Sequence, residues 1–130
     1  MKRIVVVDDE LPIVEGLRHL LRKADREVVV ARTGQEALAA IHEQVPDLLI
    51  TDVMMPHMSG LEVIATLRAA KATKDLPIII LTAKGQAQDT AAARESWGAT
   101  VVAKPFQPSA LRKLVTELLA ERKVNTNASA

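Results

Sequence analysis

Five short runs of mostly β-branched residues, at positions 3–7, 27–31, 48–51, 78–82 and 100–103, alternate along the chain with five longer segments of helical period. Within the runs the apolar residues are continuous rather than alternating. That is the pattern of strands covered on both faces, as in a parallel sheet. Between the runs, Leu17, Leu20, Leu21 and Ala24 share one helical stripe, as do Ala37, Leu38 and Ile41. Leu61, Ile64, Ala65 and Leu67 form a third stripe, and Leu111, Leu114, Val115 and Leu118 form the last. The fourth segment, residues 87–96, offers only alanines as its apolar face. It predicts a helix that packs closely but weakly, and it is the helix most expected to move.

Punctuation supports these boundaries. Thr33 precedes Glu36 by the three residues of a capping box. Pro46 and Pro77 precede the third and fourth runs, Gly98 stands where a helix would end, and Ser109 follows Pro108 where the last helix would begin. Five repeats of strand then helix predict an α/β domain with right-handed crossovers and helices on both faces of the sheet. A chain of 130 residues suits one such domain. The domain is expected to occupy residues 1–123, with residues 124–130, small and polar, as a disordered tail.

Composition narrows the function classes. Cysteine is absent, which excludes disulfides and thiolate metal sites. Seventeen basic residues against sixteen acidic leave the chain nearly neutral, which argues against broad electrostatic binding to nucleic acid or to an anionic membrane. Only Trp97 and Phe106 are aromatic, so a base-stacking platform is not expected either. No apolar run approaches the roughly 20 residues of a membrane span. Lys2 and Arg3 followed by an apolar run resemble the start of a signal peptide, but Asp8, Asp9 and Glu10 cut it short. A soluble cytoplasmic protein is expected.

In an open parallel α/β sheet, ligands bind outside the carboxyl ends of the strands, near the point where strand order reverses. The residues directly after the strands are therefore the informative ones. Asp8, Asp9 and Glu10 follow the first, Asp52 the third, and Lys104 the fifth, while Thr82 ends the fourth. The carboxylates would repel one another and push their pKa values upward without compensation. Lys104 supplies one positive charge, and an oxygen-seeking dication can supply two more. Carboxylates and water suit Mg²⁺, with no cysteine or well-placed histidine to favour a softer metal. A carboxylate beside Mg²⁺ can act as a nucleophile toward a phosphoryl group and form an acyl phosphate. The ammonium and the hydroxyl would stabilise the transferring oxygens. A glycine-rich nucleotide cradle is missing, so the donor is expected to be another protein or a small phosphodonor rather than bound ATP.

These landmarks resemble the receiver domain of two-component response regulators, including single-domain members such as the chemotaxis regulator. The resemblance covers about residues 2–122. It is carried by the strand ending in Asp8, Asp9 and Glu10, by residues 49–56 around Asp52, by Met58, Ser59 and Gly60, by Leu81, Thr82 and Ala83, and by Lys104, Pro105 and Phe106. It implies a flavodoxin-like (βα)5 fold, a doubly wound five-stranded parallel sheet of order 2-1-3-4-5. Asp52 would be phosphorylated. Asp9, Asp52 and the main-chain carbonyl of Met54 would coordinate Mg²⁺, and Asp8 would do so through water. Thr82 would be the switch hydroxyl and Lys104 the phosphate partner, with a cis peptide before Pro105. The phosphoryl group would come from a histidine kinase or phosphotransfer protein. The result would be read by a downstream target or by an effector domain outside this chain. Such a domain is not an enzyme beyond catalysing its own phosphorylation and dephosphorylation.

Two departures qualify the resemblance. The family often has Tyr or Phe three residues before the lysine, whereas this chain has Val101, which cannot report the switch by swinging a ring. Output is instead expected through residues 83–86 and shifts of the alanine-faced fourth helix. Ala99 and Thr100 lack the acidic residue common where DNA-binding members dimerise, so a monomer or a weak phosphorylation-dependent dimer is expected. A phosphatase of the haloacid dehalogenase type is the competing reading, but it wants a second aspartate two residues past the nucleophile, where Met54 stands. Met54, Met55 and Met58 are expected to pack rather than ligate, and His19, His42 and His57 to lie on the surface. Trp97 should anchor the end of the fourth helix. Lys84 stands where the family tunes water access to the phosphoryl group. Glu10 can assist the acidic pair or stand as a solvated charge.

Overall fold

The computed structural model of the protein describes residues 1–23, 25–83 and 87–129, and for residues 87–90, 92 and 121–129 it describes the backbone alone. The element order is β1 (Lys2–Val7), α1 (Leu11–Leu21), β2 (Arg26–Ala31), α2 (Gly34–Glu43), β3 (Leu48–Asp52), α3 (Gly60–Ala69), β4 (Ile78–Thr82), α4 (Ala87–Trp97), β5 (Thr100–Ala103) and α5 (Pro108–Ser129). All strand pairs are parallel, and the order across the sheet is β2-β1-β3-β4-β5, the doubly wound arrangement expected.

The continuous apolar runs have a simple cause. Val5, Val7, Leu49, Ile78 and Ile80 point to one face, where Ala37 and Ile41 of α2, Val63, Ile64 and Leu67 of α3 and Ala93 of α4 cover them. Ile4, Val6, Leu48, Ile50, Ile79 and Leu81 point to the other, under Val14, Leu17 and Leu21 of α1 and Leu111, Val115 and Leu119 of α5. Successive side chains of a strand alternate in direction, so a strand buried on both sides must be apolar at every position. The stripes were read correctly in direction but too narrowly, since Val14, Val63 and Leu119 are also buried. Ala24 lies outside the described residues.

Helix starts follow local chemistry. The Thr33 hydroxyl accepts from the Glu36 amide at 3.1 Å, and Glu36 reaches back to the Arg32 amide at 3.4 Å, one residue earlier than in an ideal capping box. The Ser59 hydroxyl accepts from the Glu62 amide at 3.2 Å and caps α3 in the same manner. Gly98 ends α4 at φ 67°, a conformation that favours glycine. α5 runs to Ser129. No proline or glycine follows Pro108 to stop a helix once it has begun.

Candidate functional site

Strand register brings the polar ends together. Val7 pairs with Thr51, Asp52 with Leu81, and Thr82 with Ala103. Asp8 and Lys104 each follow one of these positions by one residue, so the row of strand ends reads Asp8, Asp52, Thr82, Lys104. A further main-chain bond closes the row on β5: the Lys104 amide donates to the Thr82 carbonyl at 2.8 Å.

Asp8 is fully buried and Asp52 is 6 % exposed. Lys104 Nζ lies 3.2 Å from Asp52 Oδ1 and 3.5 Å from Asp8 Oδ2, so one ammonium bridges both carboxylates. The other Asp8 oxygen accepts from the Glu10 amide at 3.0 Å, and Asp52 Oδ1 also accepts from the Val53 amide at 2.9 Å. Burial pushes the Asp8 carboxyl above its ordinary pKa, and the Asp52 charge adds to this. The Glu10 amide and Lys104 act in the opposite direction but do not cancel it. Burial alone would lower the Lys104 ammonium, yet the charges of Asp52 and then Asp8 outweigh it, and its pKa is raised. The centre thus holds its lysine firmly protonated.

Carboxylate oxygens of Asp8, Asp9 and Glu10 lie within 4.8 Å of one another, with Asp8 buried, Asp9 half-buried and Glu10 exposed. Three convergent carboxylates with no nitrogen or sulfur donor suit a hard dication such as Mg²⁺. Asp52 stands beside this group, its Oδ1 sharing the Lys104 ammonium with Asp8 Oδ2.

Thr82 is 5 % exposed, and its hydroxyl donates to the Ala83 carbonyl at 3.3 Å. The Lys104–Pro105 peptide is cis. Val101 is half-buried and packs with the aliphatic core beneath α2, α3 and α4. Met55 and Met58 pack as expected, but Met54 does not: it is 61 % exposed. It follows Asp52 by two residues in a loop that leaves the sheet, and its side chain has no core to enter. His19, His42 and His57 are exposed. Lys84, and with it most of the loop expected to carry output, lies outside the described residues.

Two residues beside Asp52 escaped the sequence reading. The buried Thr51 hydroxyl donates to the Asp52 carbonyl at 3.0 Å. A Cβ on Gly60 would run into that same carbonyl oxygen, so only glycine lets α3 start this close. Gly60 was read as a landmark of a loop, and nothing in its spacing announced a backbone contact.

No helix among the described residues is long and apolar enough to cross a membrane. Residues 4–116 match the family of the response regulator receiver domain. The chain is 40% identical over 119 residues to the phosphate regulon transcriptional regulatory protein PhoB of Pseudomonas aeruginosa, covering 92% of this chain and 51% of that protein. The crystal structure of a response regulator receiver domain protein from Clostridium thermocellum superposes with a TM-score of 0.86 at 27% identity, covering 95% of this chain and 98% of the other. The chemotaxis protein CheY4 of Vibrio cholerae does so with a TM-score of 0.80 at 33% identity, covering 91% and 98%. The chain spans about half the length of the curated relatives it matches.

Proposed function

The chain belongs to the response regulator receiver domain family of two-component signalling, and from that premise we propose that Asp52 accepts a phosphoryl group from a phosphohistidine on a sensor kinase or phosphotransfer protein. The observation that carries this is the Asp52 carboxylate itself, nearly buried at a strand end with Lys104 Nζ at 3.2 Å. In the transfer, an Asp52 carboxylate oxygen bonds to phosphorus as the bond from phosphorus to the histidine nitrogen breaks, and the imidazole leaves. Charge builds on the phosphoryl oxygens as this occurs. Lys104, held protonated between Asp52 and Asp8, is placed to neutralise it. Asp8, Asp9, Asp52 and the Met54 carbonyl would hold Mg²⁺, which when bound would supply further positive charge to the same oxygens. Thr82, one position further across the sheet, would bond the phosphoryl group and change its own contacts in doing so. Hydrolysis of the acyl phosphate by water restores Asp52.

Receiver domains are signalling domains rather than enzymes acting on a free substrate, and Met54 in place of a second aspartate supports that reading over a phosphatase. With Val101 at the ring position, output would run through α4 toward a target protein or an effector domain. The relatives named as transcriptional regulators owe that activity to whole proteins about twice this length.

Incubation with acetyl phosphate and Mg²⁺ should add one phosphoryl mass, lost in Asp52→Asn and in EDTA. Labelling of Asp52→Asn at the wild-type level would overturn the assignment, and rapid multiple turnover on diverse phosphate esters would favour the phosphatase. Lys104→Ala should still be labelled but should show a weaker change in amide shifts on phosphorylation.

A further inference from the structure

We propose that Gly34, in the first turn of α2, is a positioning residue for the loop that follows Asp52, and that it acts through Met58. The proposal rests on the receiver reading above, because the loop it concerns carries Met54 and leaves directly from the acceptor aspartate.

The loop, residues 53–59, is closed at its base. The Val53 amide reaches the Leu81 carbonyl at 3.3 Å as well as Asp52 Oδ1, and the Gly60 amide returns to the Val53 carbonyl at 2.8 Å. Near its far end the chain turns sharply: the Met58 amide donates to the Pro56 carbonyl at 2.7 Å across His57, whose φ is 69°. A bond from residue i+2 to residue i around a positive φ is the rarer, strained form of the γ-turn. For a residue with a Cβ, such a conformation costs about 1–3 kcal/mol and persists only where the surroundings impose it.

Met58 is what imposes it. Its side chain is half-buried against the core and lies over Gly34. A Cβ on Gly34 would sit 2.9 Å from Met58 Cγ, 2.9 Å from its Sδ and 3.0 Å from its Cβ. The two 2.9 Å contacts are closer than real Cβ atoms show, so Met58 Cγ and Sδ would have to shift, while its Cβ at 3.0 Å would have to give by a few tenths of an ångström. Gly34 is helical, so its backbone conformation does not call for glycine. Glycine in a helix otherwise costs roughly 0.5–1 kcal/mol relative to alanine. Its value lies in the space it leaves. Met58 fills that space, the loop is drawn toward α2, and His57 takes the strain. Met54 is thereby held between two fixed points, Asp52 at the base and Met58 at the anchor.

The test uses the whole chain in four forms: wild type, Gly34→Ala, Met58→Ala and the double variant. Mg²⁺ affinity is measured by calorimetry without a phosphodonor, the initial rate of labelling by acetyl phosphate, and Tm separately. Gly34→Ala should weaken Mg²⁺ binding and slow labelling roughly tenfold, less than the roughly hundredfold that a 1 Å misplacement can cost in a positioned site. In the Met58→Ala background the same change should have little further effect, because the Cγ and Sδ that it would meet have gone. Wild-type Mg²⁺ affinity and labelling in Gly34→Ala would overturn the proposal, whatever its Tm. So would an equal loss in both backgrounds. Should Gly34→Ala fail to fold, Met58→Ala decides alone, since it removes the anchor without a clash; unchanged affinity and labelling there would also overturn it. Absence of labelling in the wild type is a separate outcome, and would strike the receiver reading instead.

Discussion

Helices α3 and α4 lie side by side on the same face of the sheet, yet they are held by different means. α3 sinks Val63, Ile64 and Leu67 into the core, and its start is fixed by the Ser59 cap and by Gly60 against the Asp52 backbone. Burial of each such side chain contributes about 1.5–3 kcal/mol. Of the α4 side chains described, only Ala93 is fully buried, and Trp97 is half-buried. The firmest described hold on α4 is polar and sits at its C-terminal end, where Arg68 Nε donates to the Trp97 carbonyl at 2.8 Å and Arg68 Nη1 to the Thr73 carbonyl at 3.2 Å. α3 is thus fixed at the end beside Asp52, and α4 is tethered at the end away from it. A helix built in the second way can tilt about its tether, which suits the part of the molecule proposed to carry output.

Graded substitutions would break or sharpen that contrast. The largest effect is expected for Leu67→Ala in α3, a loss of about 3 kcal/mol from the emptied core volume, read from the urea unfolding midpoint. Arg68→Met keeps the aliphatic stem and removes the donors, leaving the Trp97 and Thr73 carbonyls without them. We expect a loss of about 2 kcal/mol and a red shift in the emission of Trp97, the only tryptophan. If both midpoint and emission stayed put, the tether would lie elsewhere. The smallest is Ala93→Gly in α4, about 1 kcal/mol, chiefly helix propensity. Should it cost as much as Leu67→Ala, the two helices would be equally anchored and the contrast would fail.

The same comparison shows what could be read before the fold was known. Five strands were legible because burial on both faces leaves an unbroken apolar signature, and the weakness of α4 was legible in its alanines. The convergence of Asp8, Asp52, Thr82 and Lys104 followed from their places after strands, since a doubly wound sheet gathers those places at one edge. What could not be read were contacts that depend on the absence of an atom or on main-chain acceptors. Gly34 beneath Met58, Gly60 against Asp52 and Arg68 on the Trp97 carbonyl leave no periodic trace. The exposure of Met54 was missed for a related reason: its hydrophobicity says core, and only the path of the loop places it outside.

The bond between Lys104 and Asp8 joins residues 96 positions apart. Asp8 follows the first strand of the sheet and Lys104 the last, so the ammonium that balances the carboxylates arrives after nearly the whole sheet has been synthesised. A growing chain therefore carries its acidic residues uncompensated until β5 docks. The charge centre is a mark of completion, present in a finished domain and missing from any fragment that stops short of it.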